Sequence, residues 1–178
     1  MKPKLLLHCC CASCATHVIE RLNDYFEVQL FFCNSNIYPE DEYNKRLEDM
    51  KKIAKVYNKT LEVCEYSHEE WLSLIWGFEK EKEGGKRCYL CIRYRLEKTA
   101  KHAQETGVDY FATTLTISPH KNHVLINHTG KEIAYKHGVD YLISDFKKQD
   151  GFKKSVELSK KYNLSRQNYC GCEFSREQ

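Results

Sequence analysis

Short apolar runs alternate along this chain with stretches whose apolar positions recur every three or four residues. "KLLL", "EVQLFF", "TLEVCEY", "DYFATTL" and "VDYLIS" read as strands, being rich in β-branched, aromatic or aliphatic residues. Between them Ala12 to Asn23 reads as a helix. In "PEDEYNKRLEDMKKIAKVYN", Pro39 and three acids stand where a helix begins, and Leu47, Met50, Ile53, Ala54 and Tyr57 keep helical spacing. "SHEEWLSLIWGF" carries a serine followed three residues later by glutamate, a capping-box pattern. After the break "EKEGGKR", "CIRYRLEKTAKHAQETG" reads as a helix ending at Gly107; a loop and helix follow through "ISPHKNHVLINHTGKEIAYKHG", and "GFKKSVELSKKYN" reads as a last helix. Strands alternating with helices imply an α/β fold with a mostly parallel sheet covered on both faces. Ligands of such sheets bind beyond the carboxyl ends of the strands, where strand order reverses.

Length and composition narrow the class. The 178 residues fit one domain over 1–178. No apolar run approaches the ~18 residues that cross a bilayer. "MKPKLLLHCCCAS" is too short and too rich in cysteine for a signal peptide, so a cytoplasmic protein with no membrane contact is expected. A net charge of +3 identifies no partner, but its distribution is uneven. Lys147, Lys148, Lys153, Lys154, Lys160, Lys161 and Arg166 face only Asp150 and Glu157 in their stretch. This is either a solvated helix face or a phosphate-contacting surface.

Cysteine changes the picture most. The chain holds ten, four of them (Cys9, Cys10, Cys11 and Cys14) directly after the first apolar run. Core packing does not explain three in a row, because successive strand residues point to opposite faces. In a reducing cytosol metal binding or redox chemistry is the leading explanation. "RCYLC" adds Cys88 and Cys91 at a helix start, whose dipole favours thiolates, and "YCGC" adds Cys170 and Cys172 around Gly171. Four thiolates suit a zinc site or a cubane cluster, whereas Cys10, Cys11, Cys14, Cys88, Cys91, Cys170 and Cys172 exceed either. The surplus points to a cluster plus a further metal or a redox pair. Cys33 and Cys64 at strand ends are expected to be plain packing residues.

These motifs carry a resemblance. "LLLHCCCASCA", "NSNIYPEDEYNKRL", "RCYLCIRYRLEKTA", "DYFATTLTISPHKN" and "DFKKQDGFKKSVELSKKYNLSRQNYCGC" together are similar to the QueH-type epoxyqueuosine reductases over nearly the whole length. The family pattern at the start is His-x-Cys-Cys-Ala-Pro-Cys; here Ser13 replaces the proline and Cys9 fills the variable position. The resemblance implies a Rossmann-like fold similar to the adenine-nucleotide hydrolase (HUP-type) and pyrophosphatase-loop proteins. It implies removal of the epoxide oxygen of epoxyqueuosine at the tRNA wobble position, the last step of queuosine synthesis, without cobalamin. It also implies a 4Fe-4S cluster and an adjacent mononuclear iron. Electrons would come from an external donor such as a ferredoxin or flavodoxin. The turn after the first strand, where related enzymes cradle phosphate with glycines, holds cysteines instead, so ATP binding there is not expected.

Roles follow for individual residues. Cys88 and Cys91 are expected to pair on the cluster, and Cys170 and Cys172 to serve the extra iron on a Gly171 turn that admits a ligand. His8 and His120 are the candidate proton donors by position. Asn34, Tyr38, Glu42 and Arg46 follow the second strand, and Thr113, Thr114, Ser118, His120 and Lys121 follow the fourth, so all are placed at the substrate end of the sheet. Glu42 and Arg46 read equally well as an i,i+4 surface pair. Tyr89, Tyr169 and Arg166 flank cysteines and either stack on the base or pack. Two rivals remain: an ATP-dependent tRNA-modifying enzyme of the pyrophosphatase-loop type, and a zinc-stabilised RNA-binding module.

Overall fold

The computed structural model describes residues 1–175. Its elements run β1 (Lys4–His8), α1 (Ala12–Leu22), β2 (Glu27–Phe32), α2 (Glu40–Val56), β3 (Leu61–Val63), α3 (His68–Leu74), α4 (Lys86–Thr106), β4 (Tyr110–Thr113), α5 (His123–His137), β5 (Asp140–Tyr141) and α6 (Gly151–Lys161), with short 3-10 turns at Thr114–Ile117 and Glu173–Ser175. The five strands form one sheet in the order β3-β2-β1-β4-β5, and every pairing is parallel. This is the doubly wound order expected. The chain builds outward from β1 to β3, then returns to the other side of β1 with β4, so the switch point lies between β1 and β4.

Burial explains why β1 is central. Leu5, Leu6 and Leu7 are all fully buried, because both faces of a parallel sheet are covered. Leu5 and Leu7 pack with Val18 and Ile19 of α1 and with Met50 and Ile53 of α2. Leu6 points the other way, with Phe111, into Leu96 of α4 and Ile126 and Ile133 of α5. α6 lies outside α1.

Several expectations need correction. The third and fifth strands are shorter than their apolar runs, at Leu61–Val63 and Asp140–Tyr141, since pairing is limited by the neighbouring strand. The fourth ends at Thr113, where its side chain accepts from Leu115 N and starts a 3-10 turn. α4 begins at Lys86, so Cys88 as well as Cys91 is helical; Gly85 is its N-cap. The capping box does not form. Ser67 makes no side-chain cap bond, its backbone N–H donates to Ser35 Oγ, and Glu70 turns outward to Lys98 and Tyr94. Cys33 and Cys64 do more than pack: they form a disulfide with Cα atoms 5.1 Å apart. Phe32 pairs with Val63, so the next residue of each strand falls opposite the other.

Gly130 of α5 meets the ring of Tyr141, whose hydroxyl donates to Asn127 Oδ1; a Cβ at Gly130 would lie 2.5 Å from the ring. Gly130→Ala should therefore destabilise by about 1–3 kcal/mol through overpacking, despite alanine's better helix propensity. A lowered urea midpoint with an unchanged slope is the expected observation; an unchanged or raised midpoint would show that the ring yields freely.

Candidate metal and redox centre

The switch point is built by two threonines. His8 ends β1 opposite Thr113 of β4, and their side chains meet, Nδ1 to Oγ1, at 2.9 Å. His8 Nε2 lies 3.2 Å from the Cys33 carbonyl, which only accepts, so this nitrogen carries the proton and Nδ1 accepts from Thr113. Burial first, then Arg95, lowers the His8 pKa to about 4, so the ring stays neutral. His8 thus braces the crevice from behind and does not reach the cavity. One residue on, Thr114 Oγ1 accepts from Cys10 N at 3.1 Å and contacts Cys10 Sγ at 3.4 Å.

Past that brace the chain turns through Cys9, Cys10 and Cys11 into α1. Cys9 is fully buried in the core, whereas Cys10, Cys11 and Cys14 bring their sulfurs within 4.8 Å of one another. Such a set can hold a metal. Hydrogen bonds from Cys11 and Cys14 hold Cys10 well below the ordinary thiol range, overcoming burial. The same bonds push Cys14 up and Cys11 up to about 12. Of the three, Cys10 is the sulfur whose ionisation its neighbours favour.

The second sulfur set comes from α4 and the carboxyl-terminal loop. Cys88, Cys91, Cys170 and Cys172 line one small cavity of about 20 Å³. The loop carrying the last two is tied down at several points. Ser13 Oγ donates to Ser165 O, Ser165 N to Asp49 Oδ2, Tyr38 N to Gly171 O, and Arg46 Nη1 to Cys170 O. Gly171 has φ +122, and a Cβ there would lie 3.0 Å from Arg46 Nη1, so this turn requires glycine. The terminal pair accordingly sits beside the helix pair, not apart from it. Cys170 also borders a larger cavity of about 200 Å³ together with Cys10, Cys11 and Cys14. All seven candidate cysteines are thus brought to two adjoining cavities.

Positive charge surrounds them. Arg46, Arg95, Lys121 and Arg166 line the larger cavity; Arg87, Arg95 and Lys121 line the smaller; among the described residues no Asp or Glu lines either. Arg46 pairs with Glu42 at 2.8 Å, but the pair is largely buried and not on the surface, and Arg46 lines the larger cavity. Lys121 Nζ lies 3.2 Å from Cys170 Sγ. Burial opposes ionisation of Cys170, but Lys121 and Arg95 outweigh it and lower its pKa. Burial raises Cys91 and Cys172.

The other candidates divide. His120, Arg166 and Tyr169 line the larger cavity, with the Arg46 guanidinium 5.4 Å from the Tyr169 ring. Asn34 is buried and donates to Cys9 O; Thr113 is occupied by His8; Tyr38 stacks on His68, outside both cavities. Tyr89 also lies outside both and receives Arg93 on its hydroxyl. Arg87 and Arg95 were not anticipated. The signal for them was the i, i+4, i+8 stripe Arg87, Cys91, Arg95 on the buried face of α4. A cleft of about 810 Å³ between α1, α5 and the segment after β5 has no cysteine among its lining residues.

Fold and site together define a doubly wound α/β protein with a cysteine-lined crevice at its switch point that could hold a metal. The chain belongs to the epoxyqueuosine reductase QueH family, whose model matches residues 5–178. Proteins named epoxyqueuosine reductase QueH from Streptococcus pyogenes serotype M1 and Thermotoga maritima are 42% and 40% identical to it. Those alignments cover 98% and 96% of this chain and 71% and 89% of the relatives. A solved structure described as a predicted subunit of tRNA methyltransferase from Methanocaldococcus jannaschii shares the fold, with a TM-score of 0.55 at 13% identity over 86% of this chain and 76% of that one. No helix among the described residues is long and apolar enough to cross a membrane.

Removing the Lys121 ammonium should raise the Cys170 pKa, because its charge favours the thiolate. In metal-free Lys121→Gln, the pH of half-maximal iodoacetamide labelling at Cys170 should move upward. A rise of one unit slows labelling about tenfold at neutral pH. An unmoved profile, read by peptide mass spectrometry, would contradict the contact.

Proposed function

We propose that this protein reduces epoxyqueuosine to queuosine at the tRNA wobble position, using a 4Fe-4S cluster and an adjacent mononuclear iron held by Cys10, Cys11, Cys14, Cys88, Cys91, Cys170 and Cys172. The observation that carries this reading is the gathering of seven cysteines among cations, with no carboxylate among the described residues of the cavity walls. Its chemistry fits a sulfur-bound iron centre in a second respect. Arg87, Arg95 and Asn36 line the smaller cavity, and among the described residues Arg87 Nε and Nη2, Arg95 Nε and Asn36 Nδ2 are buried donors with no hydrogen-bond partner. Buried donors of this kind demand an acceptor. When bound, the iron centre would pass on two electrons from an external carrier and supply the Lewis acidity that, with two protons, turn an epoxide into an alkene and water.

The chain's own residues do the rest. The larger cavity opens between Tyr169, Arg166, Phe152 and His120, giving an unpaired anticodon-loop base an aromatic and guanidinium wall to stack on. Such a base leaves its stack at low cost. His120 is exposed at the rim and is the histidine placed to deliver a proton to the departing oxygen; His8 is sealed behind the strands. Lys121 and Arg46 fix Cys170 at the boundary of the two cavities. Electrons come from an external carrier of the ferredoxin or flavodoxin type. The ATP-dependent alternative lacks a phosphate cradle, since Cys9, Cys10 and Cys11 fill the turn after β1.

Two results test the reading. Anaerobically prepared protein should contain about five irons and four sulfides per chain. With a strong reductant it should convert epoxyqueuosine-containing tRNA to queuosine-containing tRNA with no cobalamin added. Zinc without sulfide, an ATP requirement, or no turnover by iron-replete protein would refute it.

The basic helix adjoins this pocket. Phe152 and Ser155 of α6 line the larger cavity, while Lys153, Lys154, Lys160 and Lys161 are exposed. If these lysines meet tRNA phosphates, replacing all four by glutamine should weaken binding and flatten its salt dependence. The log–log slope should fall by about 0.7–0.9 for each phosphate that is no longer neutralised. Iron content should not change. An unaltered slope would make them a solvated face.

A further inference from the structure

Three arginines are buried beside the sulfurs and Lys121 is half-buried there; three of these four cations are accounted for by near neighbours. Arg46 is paired with Glu42. Arg87 donates to the carbonyls of Glu79 and Glu81, lies near the Phe174 ring, and lines the smaller cavity alone. Lys121 contacts Cys170. Arg95 differs from all of these. Like Lys121 it lines both cavities, but it is 2% exposed and has Asn34 Oδ1, at 3.5 Å, as its hydrogen-bond acceptor, while its Nε has none among the described residues.

A guanidinium remains charged at any pH a protein survives. Burying it is costly unless negative charge lies close by. Here that charge comes from sulfur. Burial opposes the charge on Arg95, and Cys91, Cys170, Cys10 and Cys88 favour it, so both sulfur sets act on the same cation. We propose that Arg95 is the counter-cation common to the two sulfur sets, a positioning residue that sets the reduction potential of the iron centre they hold. A fixed positive charge favours the more negative, reduced state and so raises the potential. Residues 88 and 91 supply thiolates, and one further turn of the same helix places the charge that balances them. The inference rests on the iron–sulfur reading above.

The test uses the full chain, anaerobically loaded, with iron and sulfide counted before each redox titration. Arg95→Gln should load iron as the parent does, yet at a fixed poise its ratio of reduced to oxidised centre should fall about tenfold, a shift of about 59 mV for a one-electron couple. Arg95→Lys, which keeps the charge, should recover most of the potential. Asn34→Asp is a second route that leaves the guanidinium in place. It sets a carboxylate against Nη1 and should lower the potential in the same direction, so the question is answered even if Arg95→Gln does not load. An unchanged potential in a loaded Arg95→Gln, or in Asn34→Asp where Arg95→Gln does not load, would overturn the assignment. So would an Arg95→Lys potential as low as that of Arg95→Gln, because packing rather than charge would then be responsible. If the parent itself binds neither iron nor sulfide, the underlying iron–sulfur reading fails instead.

Discussion

A buried guanidinium with no carboxylate beside it requires negative charge from another source. That constraint organises the site. Arg87 and Arg95 are almost wholly buried on one face of α4, and among the described residues no acid lines the cavities they reach. The cysteines between and around them are the groups able to balance that charge. Carbonyls of Glu79 and Glu81 and the Phe174 ring offset part of the cost at Arg87, but without the sulfurs Arg95 would keep only the Asn34 amide oxygen against a large desolvation cost. Without the cations, several thiolates gathered in a low-dielectric crevice would repel one another and take up protons.

The sheet makes such a gathering feasible. A parallel sheet with its switch point between β1 and β4 leaves a crevice at the strand ends, where backbone groups are free to turn. The His8–Thr113 contact closes the floor of that crevice, and Thr114 fixes Cys10 on top of it. The carboxyl-terminal loop then supplies the far wall. Its position is set by hydrogen bonds to α1 and α2, by the Tyr38 backbone, and by a glycine that lets Arg46 approach closely. Cysteines from opposite ends of the chain thereby face one pair of cavities.

The family membership and the geometry support each other through different evidence. Similarity to the named relatives extends over almost the whole chain. The cavity walls, in turn, show why those sequence positions would matter chemically. The cavity at the sheet's carboxyl edge is lined by cations, aromatic rings and sulfur together.

Much of the fold was legible in the residues themselves. Alternation of strand-like and helix-like runs, Pro39 before its acids and Gly107 after α4 are local signals, and local signals survive without tertiary knowledge. The clustering of cysteines at three element boundaries likewise pointed to metal or redox chemistry. What failed was whatever depended on a distant neighbour. Ser67 was drawn to Ser35 instead of capping α3, and Cys33 found Cys64 because β2 and β3 pair in a particular register. His8 and Thr113 turned their polar atoms on each other, and Asn34 turned inward to the Cys9 carbonyl. By itself the sequence determined the alternating elements and which side chains carry sulfur. Only the tertiary structure decided which sulfurs meet and that their counter-charges are buried arginines. Periodicity constrains a residue's own face, whereas charge balance depends on what strand order and loop docking bring to that face from elsewhere in the chain.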